Sequence, residues 1–393
     1  MIRTRVVILV LLCLALLAGC ASTPERHPVP TGREQDAMIP GIPHARIMDV
    51  MGDEEIYNRL SHILAQKRAA GVPDDAPAAI LALSGGGANG AFGAGLLVGW
   101  TQEGSRPDFD VVTGISTGAL MAPFAFLGSD YDPVLEKLYT GTSTSDILEK
   151  RSALAALRGD AVSDSAPLRA QVASLVDKKL MAKIAVQHLR GRRLLVGTTN
   201  LDAGRGILWD LGEIAASGQP GALQLLRDIL VASASIPVAF PPVYFSVQVD
   251  GQTYTEMHVD GGIAAQAFIY PLWMELGKLS REEGLRRERS LYVIRNSTLQ
   301  ASSVVVNPSL TAIAGRAMAM LIKQQGLGDL LRIFTTAHRD NLDFHLAYIP
   351  QDVQNTSSEP FDPVYMQSLF ALGRTMALEG NAWDHTLTSE HNP

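Results

Sequence analysis

The pentapeptide Gly114-Ile115-Ser116-Thr117-Gly118 joins a short apolar strand pattern, Asp110-Val-Val-Thr113, to an apolar helix pattern, Thr117 to Leu127. A chain that turns from strand to helix this sharply needs residues without side chains on both sides of the corner. The same arrangement occurs just upstream. Ala79-Ile-Leu-Ala-Leu-Ser84 reads as a buried strand, Gly85-Gly86-Gly87-Ala88-Asn89-Gly90 as a turn, and Ala91 to Trp100 as a Gly-rich helix. Successive strand–turn–helix units point to a three-layer α/β/α fold with a mainly parallel central sheet.

Later segments fit that architecture. Arg193 to Thr199, Ser290 to Ile294 and Phe344 to Ile349 read as strands, and Gly221 to Ala232 as a helix. Tyr244 to Val259 alternates around Asp250-Gly251, a strong hairpin signal. Asp53 to Ala70, Leu310 to His338 and Pro363 to Ala377 carry helical spacing. Within the long helix, the stripe Met318-Ala-Met320-Leu-Ile322 is expected in the core rather than as an acyl-binding wall. Ser129 to Gly191, rich in Ala and Leu, is expected to form helices that either pack on the sheet or cap the site.

The 393 residues are 47% hydrophobic and 19% charged, a globular composition with ample core. A formal net charge of −7 gives no electrostatic case for nucleic-acid binding. No Cys/His cluster has metal-site spacing. No signal for an oligomeric state appears in the sequence.

The first residues are a separate object. Arg3 and Arg5 precede an apolar run, Val6 to Leu17, closed by Leu17-Ala18-Gly19-Cys20. At about 12 residues the run is too short to span a bilayer, so residues 1–19 read as a signal peptide. The closing tetrapeptide resembles the bacterial lipoprotein box. That resemblance implies cleavage before Cys20, acylation of Cys20, and an exported protein held to a membrane by its lipid. Ala21 after the cysteine implies the outer membrane, facing the periplasm or the surface. The only other cysteine is Cys13, inside the signal, so no spare thiol would remain to mispair after export. Pro24, Pro28, Pro30, Pro40 and Pro43 make residues 20–45 a tether.

Chemistry concentrates in three places. The Gly85–Gly90 turn can aim backbone N–H groups at an anion, either a phosphate or the oxyanion of an acyl transfer. Ser116 stands where a strand-to-helix corner exposes a nucleophile. A nucleophilic serine needs a base. The nine histidines lie outside Gly- or Asp-rich turns and read as surface or structural residues. Asp260-Gly261-Gly262 ends an alternating strand; read alone it is a turn or an Asx cap, or an aspartate free to approach a serine.

Taken together, the order GGG-x-x-G, G-x-S-x-G, D-G-G resembles the patatin-like phospholipase family. Ala232-Ser-Ala-Ser-Ile-Pro237 and Thr199-Asn-Leu-Asp-Ala-Gly204 are similar to further family segments. The resemblance implies a patatin-like core over residues 78–300, preceded by a helical segment over 46–77 and followed by an extension over 301–393 packed on the core. It implies a serine acyl-ester hydrolase with a Ser116–Asp260 dyad and no metal or cofactor. Gly85, Gly86, Gly87 and Gly90 would form the oxyanion and substrate-binding loop, with N–H donors from Gly86 and Gly87. Gly114, Gly118, Gly261 and Gly262 would shape the two corners. The partner is an acyl-ester or lipid substrate. Ser84 and Asn89 depart from the family pattern, which often has Asp and a cation at these places. An acyltransferase on the same dyad, or a catalytically silent anchored binding protein, would share all these motifs. A dinucleotide site would also use Gly85-x-Gly87-x-x-Gly90, with Asp108 or Asp110 on the ribose.

Overall fold

The expected strands form the middle of one twisted sheet. The computed structural model describes residues 26–47, 53–152, 155, 159–271, 274–285, 287–300, 303–353, 355 and 357–387. The signal peptide and Cys20 lie outside the described residues. Among the described residues the main sheet has nine strands. In chain order they are β1 (Arg46–Ile47), β2 (Ala78–Leu83), β3 (Val111–Ile115), β4 (Arg193–Asn200), β5 (Arg205–Asp210), β6 (Val243–Val249), β7 (Gln252–Asp260), β8 (Arg289–Arg295) and β9 (Asp343–Tyr348).

Strands β4, β3, β2, β8 and β9 lie side by side and parallel. Antiparallel β5 and then β1 extend the sheet beyond β4. Strand β5 went unread in the sequence, because Arg205-Gly206 opens it and Gly204 precedes it, so its short apolar stretch looks like a turn. The β6–β7 hairpin turns at Asp250-Gly251, both with positive φ (50° and 78°), as a tight primed turn requires.

Helices cover both faces. Those longer than one turn are α1 (Asp53–Ala69), α2 (Gly90–Glu103), α3 (Thr117–Leu127), α4 (Asp132–Thr140), α5 (Ala166–Leu175), α6 (Lys178–Leu189), α7 (Leu211–Ala216), α8 (Ala222–Ser233), α9 (Leu276–Glu282), α10 (Leu310–Asp340) and α11 (Pro363–Leu378). Alternation along β2 divides the core. Leu81 and Leu83 pack with Phe92, Leu96, Met121 and Leu369 from α2, α3 and α11. Ile80 and Ala82 pack with Leu330, Ile333 and Ala337 of α10 on the other face. Helix α2 can be Gly-rich because Gly95 and Gly99 press against the backbone of α11, where a side chain would collide. The Ser129–Gly191 segment supplies α4, α5 and α6, which pack against α2, α8 and α7 respectively, so these helices thicken the helical layer.

Two expectations need correction. Residues 26–45 are not a free tether. Met38 pairs with Gln248, and Ala37, Ile39, Ile42 and Ala45 are buried. Next to them Arg46 reaches into the interior to bond Glu256 at 2.6 Å. The stretch runs through turns, a single 3-10 turn at Glu34–Asp36 and isolated bridges, so its buried residues follow no helix or strand period. The second correction concerns the Met318–Ile322 stripe. Met318, Met320 and Leu321 are exposed, because α10 is longer than the sheet it crosses.

Candidate active site

Strand pairing builds the site. On one edge of β4, β3 pairs as far as Ile115 opposite Gly197. There β3 ends, and β7 takes over the same edge from Thr198, which faces Asp260. Ser116 leaves β3 as Asp260 closes β7, so the two side chains converge at the C-terminal end of the parallel strands. Ser116 Oγ donates to Asp260 Oδ2 at 2.6 Å. Both residues are buried.

The corner at Ser116 is strained as a nucleophile turn must be, with φ 54° and ψ −122°. Its N–H donates to Ser233 Oγ at 3.0 Å, and Ser233 Oγ donates to the Gly197 carbonyl at 2.7 Å. Ser233 therefore ties the corner to β4. A side chain at Gly118 would strike the Leu83 carbonyl, and one at Gly114 the backbone of Gly118 and Ala119. These glycines let α3 begin directly against the neighbouring strand end.

Asp260 is held from three directions. Its Oδ1 accepts the Gly262 N–H at 2.7 Å, its own N–H donates to the Ser235 carbonyl at 2.9 Å, and its carbonyl accepts Thr199 Oγ1 at 2.9 Å. Burial pushes its carboxyl up to about 6, against the opposing effect of the Ser116 and Gly262 hydrogen bonds. Gly261 packs against the Gly197 backbone, where no Cβ would fit.

The glycine loop splits into two kinds of residue. The N–H groups of Gly86 and Gly87 have no partner among the described residues, and Gly87 adopts φ 57°. The other two expected oxyanion glycines do different work. Gly85 N–H is already spent on the Gln266 carbonyl, and Gly90 N–H on Gly87. Gly85 instead gives room to Ser116 and Gln266, and Gly90 lets α2 pack against Thr117. Asn89, where the family often has a cation, accepts Tyr365 Oη from α11 at 3.0 Å.

Residues 81–273 match the patatin-like phospholipase family model. They form a patatin-like phospholipase domain. Two relatives, both patatin-like protein 2 of rice (Oryza sativa subsp. indica and subsp. japonica), are 28% identical over 207 residues, 47% of this chain and 49% of theirs. The chain thus spans about half the length of the curated relatives it matches. The crystal structure of VipD from Legionella pneumophila is similar over 79% of this chain and 67% of that one. At 13% identity and a TM-score of 0.38, that superposition is too loose to argue from.

Within the patatin-like domain, several supporting residues escaped the sequence reading. Asn296, fully buried at the end of β8, donates from its N–H to Ser84 Oγ at 2.8 Å and from Nδ2 to the Ser84 carbonyl at 3.0 Å. Its Oδ1 accepts the Gly93 N–H at 3.1 Å. One amide so joins β2, the loop and α2. Gln266 accepts the Gly85 N–H on its carbonyl and donates from Nε2 to the Gly262 carbonyl at 2.7 Å, joining both motif turns. Neither residue belongs to a motif; only their fold neighbours reveal the role. Ser233 and Ser235 do lie in a family-like segment, and that was the one available signal.

Among the described residues no histidine bonds Ser116 or Asp260. His258 is buried between Thr198 Oγ1 and Glu256 Oε2, and burial keeps its pKa below the usual value. His188 is bracketed by Asp210 and Glu213. Asp110 pairs with Lys67 and caps the Ala79 N–H at the start of β2, the opposite end of the sheet from the glycine loop. It cannot serve a ribose held there.

Proposed function

We propose that this chain is a serine acyl-ester hydrolase acting on lipid esters through a Ser116–Asp260 dyad. The observation that carries the reading is the 2.6 Å bond from Ser116 Oγ to a buried, otherwise cation-free carboxylate. With its pKa near 6, Asp260 is ionised at neutral pH yet more basic than an ordinary aspartate. It takes the Ser116 proton as Oγ adds to the ester carbonyl carbon. The carbonyl oxygen becomes an oxyanion and accepts the Gly86 and Gly87 N–H groups; in a known hydrolase one such donor is worth ~3–4 kcal/mol. Collapse breaks the C–O bond, and the departing alkoxide takes the proton from Asp260. Water then attacks the acyl-enzyme by the same route and regenerates Ser116.

Lipid esters are favoured by the family match of residues 81–273. We propose further that Cys20 carries the lipid anchor and that the protein is exported to the outer membrane. Support comes from where the chain enters the fold: Arg26 bonds Asp202 at 2.6 Å in the turn after β4, at the dyad end of the sheet. A membrane-held Cys20 would keep the site near its substrate. Hydrolysis of p-nitrophenyl esters and defined phospholipids, beside Ser116→Ala, tests the activity. Serine-dependent turnover is expected; turnover that survives Ser116→Ala would overturn the reading. Labelled palmitate incorporation that persists in Cys20→Ala would overturn the anchor.

A further inference from the structure

Helix α10 is much longer than the strands it connects. Its 31 residues extend ~46 Å, whereas β8 and β9 have seven and six residues and run ~20–23 Å. It links two adjacent parallel strands, so it runs antiparallel to them, and its N-terminus lies at their C-terminal end, where the dyad sits. Only the part from Gly326 onward is buried against the sheet. Leu310 to Gln325, ~24 Å of helix, overhangs the site. The overhang touches the site's rim at its root, where Gln325 Nε2 donates to the Ile263 carbonyl at 2.8 Å.

This overhang has the wrong surface for water. Leu310 is 85% exposed and Leu321 66%, with Ile313, Met318 and Met320 about half exposed. Val305, in the segment leading in, is 99% exposed. The rim of the dyad end continues the same character: Leu201, Ile236, Val238, Ile263 and Val364 are exposed large apolar residues in loops or at helix starts there. Apolar exposure concentrated on one end of the fold marks a surface that is covered in use. Charge narrows what covers it. No acidic residue occurs between Glu288 and Asp329 in a chain of net charge −7, and Lys323 turns its ammonium back onto Ser297 and Thr298, so the overhang presents no anionic side chain. An apolar helix without carboxylates suits the lipid headgroup–acyl boundary, where its apolar side chains sink ~5–10 Å and no acid repels the phosphates.

We infer that the Leu310–Gln325 half of α10 is a bilayer-docking element, which inserts at the lipid interface and sets the mouth of the Ser116–Asp260 site against the membrane. The inference deepens the hydrolase reading but needs no turnover. It can therefore be tested on a catalytically dead chain. In the full chain with Cys13→Ala, Cys20→Ala and Ser116→Ala, a single Leu321→Cys carries a polarity-sensitive fluorophore. A second chain carries the label at Asp75→Cys, exposed at the opposite end of the sheet. Phosphatidylcholine–phosphatidylglycerol vesicles are expected to shift the Leu321 label to the blue and raise its emission severalfold, leaving the Asp75 label unchanged. No change at Leu321, or an equal change at both sites, overturns the inference. So does a Leu321 shift without vesicles that grows with protein concentration, which would assign the surface to a second copy of the chain. In the active chain, Leu310→Glu/Ile313→Glu/Met318→Glu is expected to cut hydrolysis of vesicle phospholipid ~10-fold or more and to spare a soluble p-nitrophenyl ester. Unchanged vesicle hydrolysis overturns it equally.

Discussion

Thr198 and Asp260 face each other across an antiparallel rung that begins where the parallel pairing of Ile115 with Gly197 ends. The handover of one β4 edge from β3 to β7 delivers an aspartate to a serine 144 residues away. Neither side chain needs a long loop to reach the other, so the dyad inherits the rigidity of the sheet.

Removing either member should stop the reaction without unfolding the protein. Ser116→Ala and Asp260→Asn are each expected to lower kcat/KM by at least ~10³-fold. Circular dichroism should be unchanged. A folded Asp260→Asn that keeps wild-type activity on p-nitrophenyl esters would mean another base.

The pH profile should report Asp260. Its carboxyl titrates near 6, and only the ionised form accepts the serine proton, so kcat/KM should climb as pH rises through about 6 and then level off. Stability runs the other way. Burial raises the folded pKa above the unfolded value of 3.8, so ionising Asp260 costs folded stability as pH rises from about 4 to 6. Asp260→Asn should therefore gain on the wild type across that window, by up to about 3 kcal/mol above it. Parallel urea melts at pH 4 and pH 7 would measure the gain.

Ser233 should matter although it touches no reacting atom. Ser233→Ala leaves the Ser116 N–H and the Gly197 carbonyl without their shared partner inside the fold. The expected cost is about 1–3 kcal/mol of stability together with a fall in kcat larger than any change in KM, because the strained corner loses its brace. A variant with wild-type kcat would show that the glycines alone hold Ser116.

Asn296 should control the oxyanion loop. Asn296→Ala keeps the backbone bond to Ser84 Oγ but removes the two side-chain bonds, to the Ser84 carbonyl before the loop and to the Gly93 N–H of α2. Its amide oxygen also lies against Gly93, while its Cβ and backbone carbonyl, which alanine keeps, lie against Gly86. Transition-state stabilisation should fall by about 2–3 kcal/mol, read as kcat/KM, with substrate binding less affected. Asn296→Asp, which keeps the acceptor for Gly93, should recover only part of it.

The N-terminal segment is held by a buried ion pair. Arg46 and Glu256 are almost fully enclosed, with His258 beside them. Glu256→Ala strands a buried guanidinium and should destabilise by about 3–5 kcal/mol, whereas Arg46→Met/Glu256→Leu should come close to wild type. Thermal melts of the two variants would separate these outcomes.

The sequence by itself determined the order of the parallel strands and their main helices, because apolar runs and glycine corners are local signals, but it missed strands β1 and β5 at one edge of the sheet. It also marked Ser116, since a corner motif needs only neighbouring residues, whereas Asp260 stood out only through the order of three motifs that resembles a known family. It could not show that β4 changes partner at Thr198, nor that Gly85 and Gly90 spend their N–H groups elsewhere while Gly86 and Gly87 keep theirs open. Those facts depend on which backbone group meets which across the fold. The prolines before Pro43 look like a tether until burial of Ile39, Ile42 and Arg46 ties them to the sheet. The Met318–Ile322 stripe has the pattern of a core helix, and only the length of α10 relative to the strands decided that it stands in solvent. Periodicity states which residues share a face; tertiary structure alone states whether anything covers it.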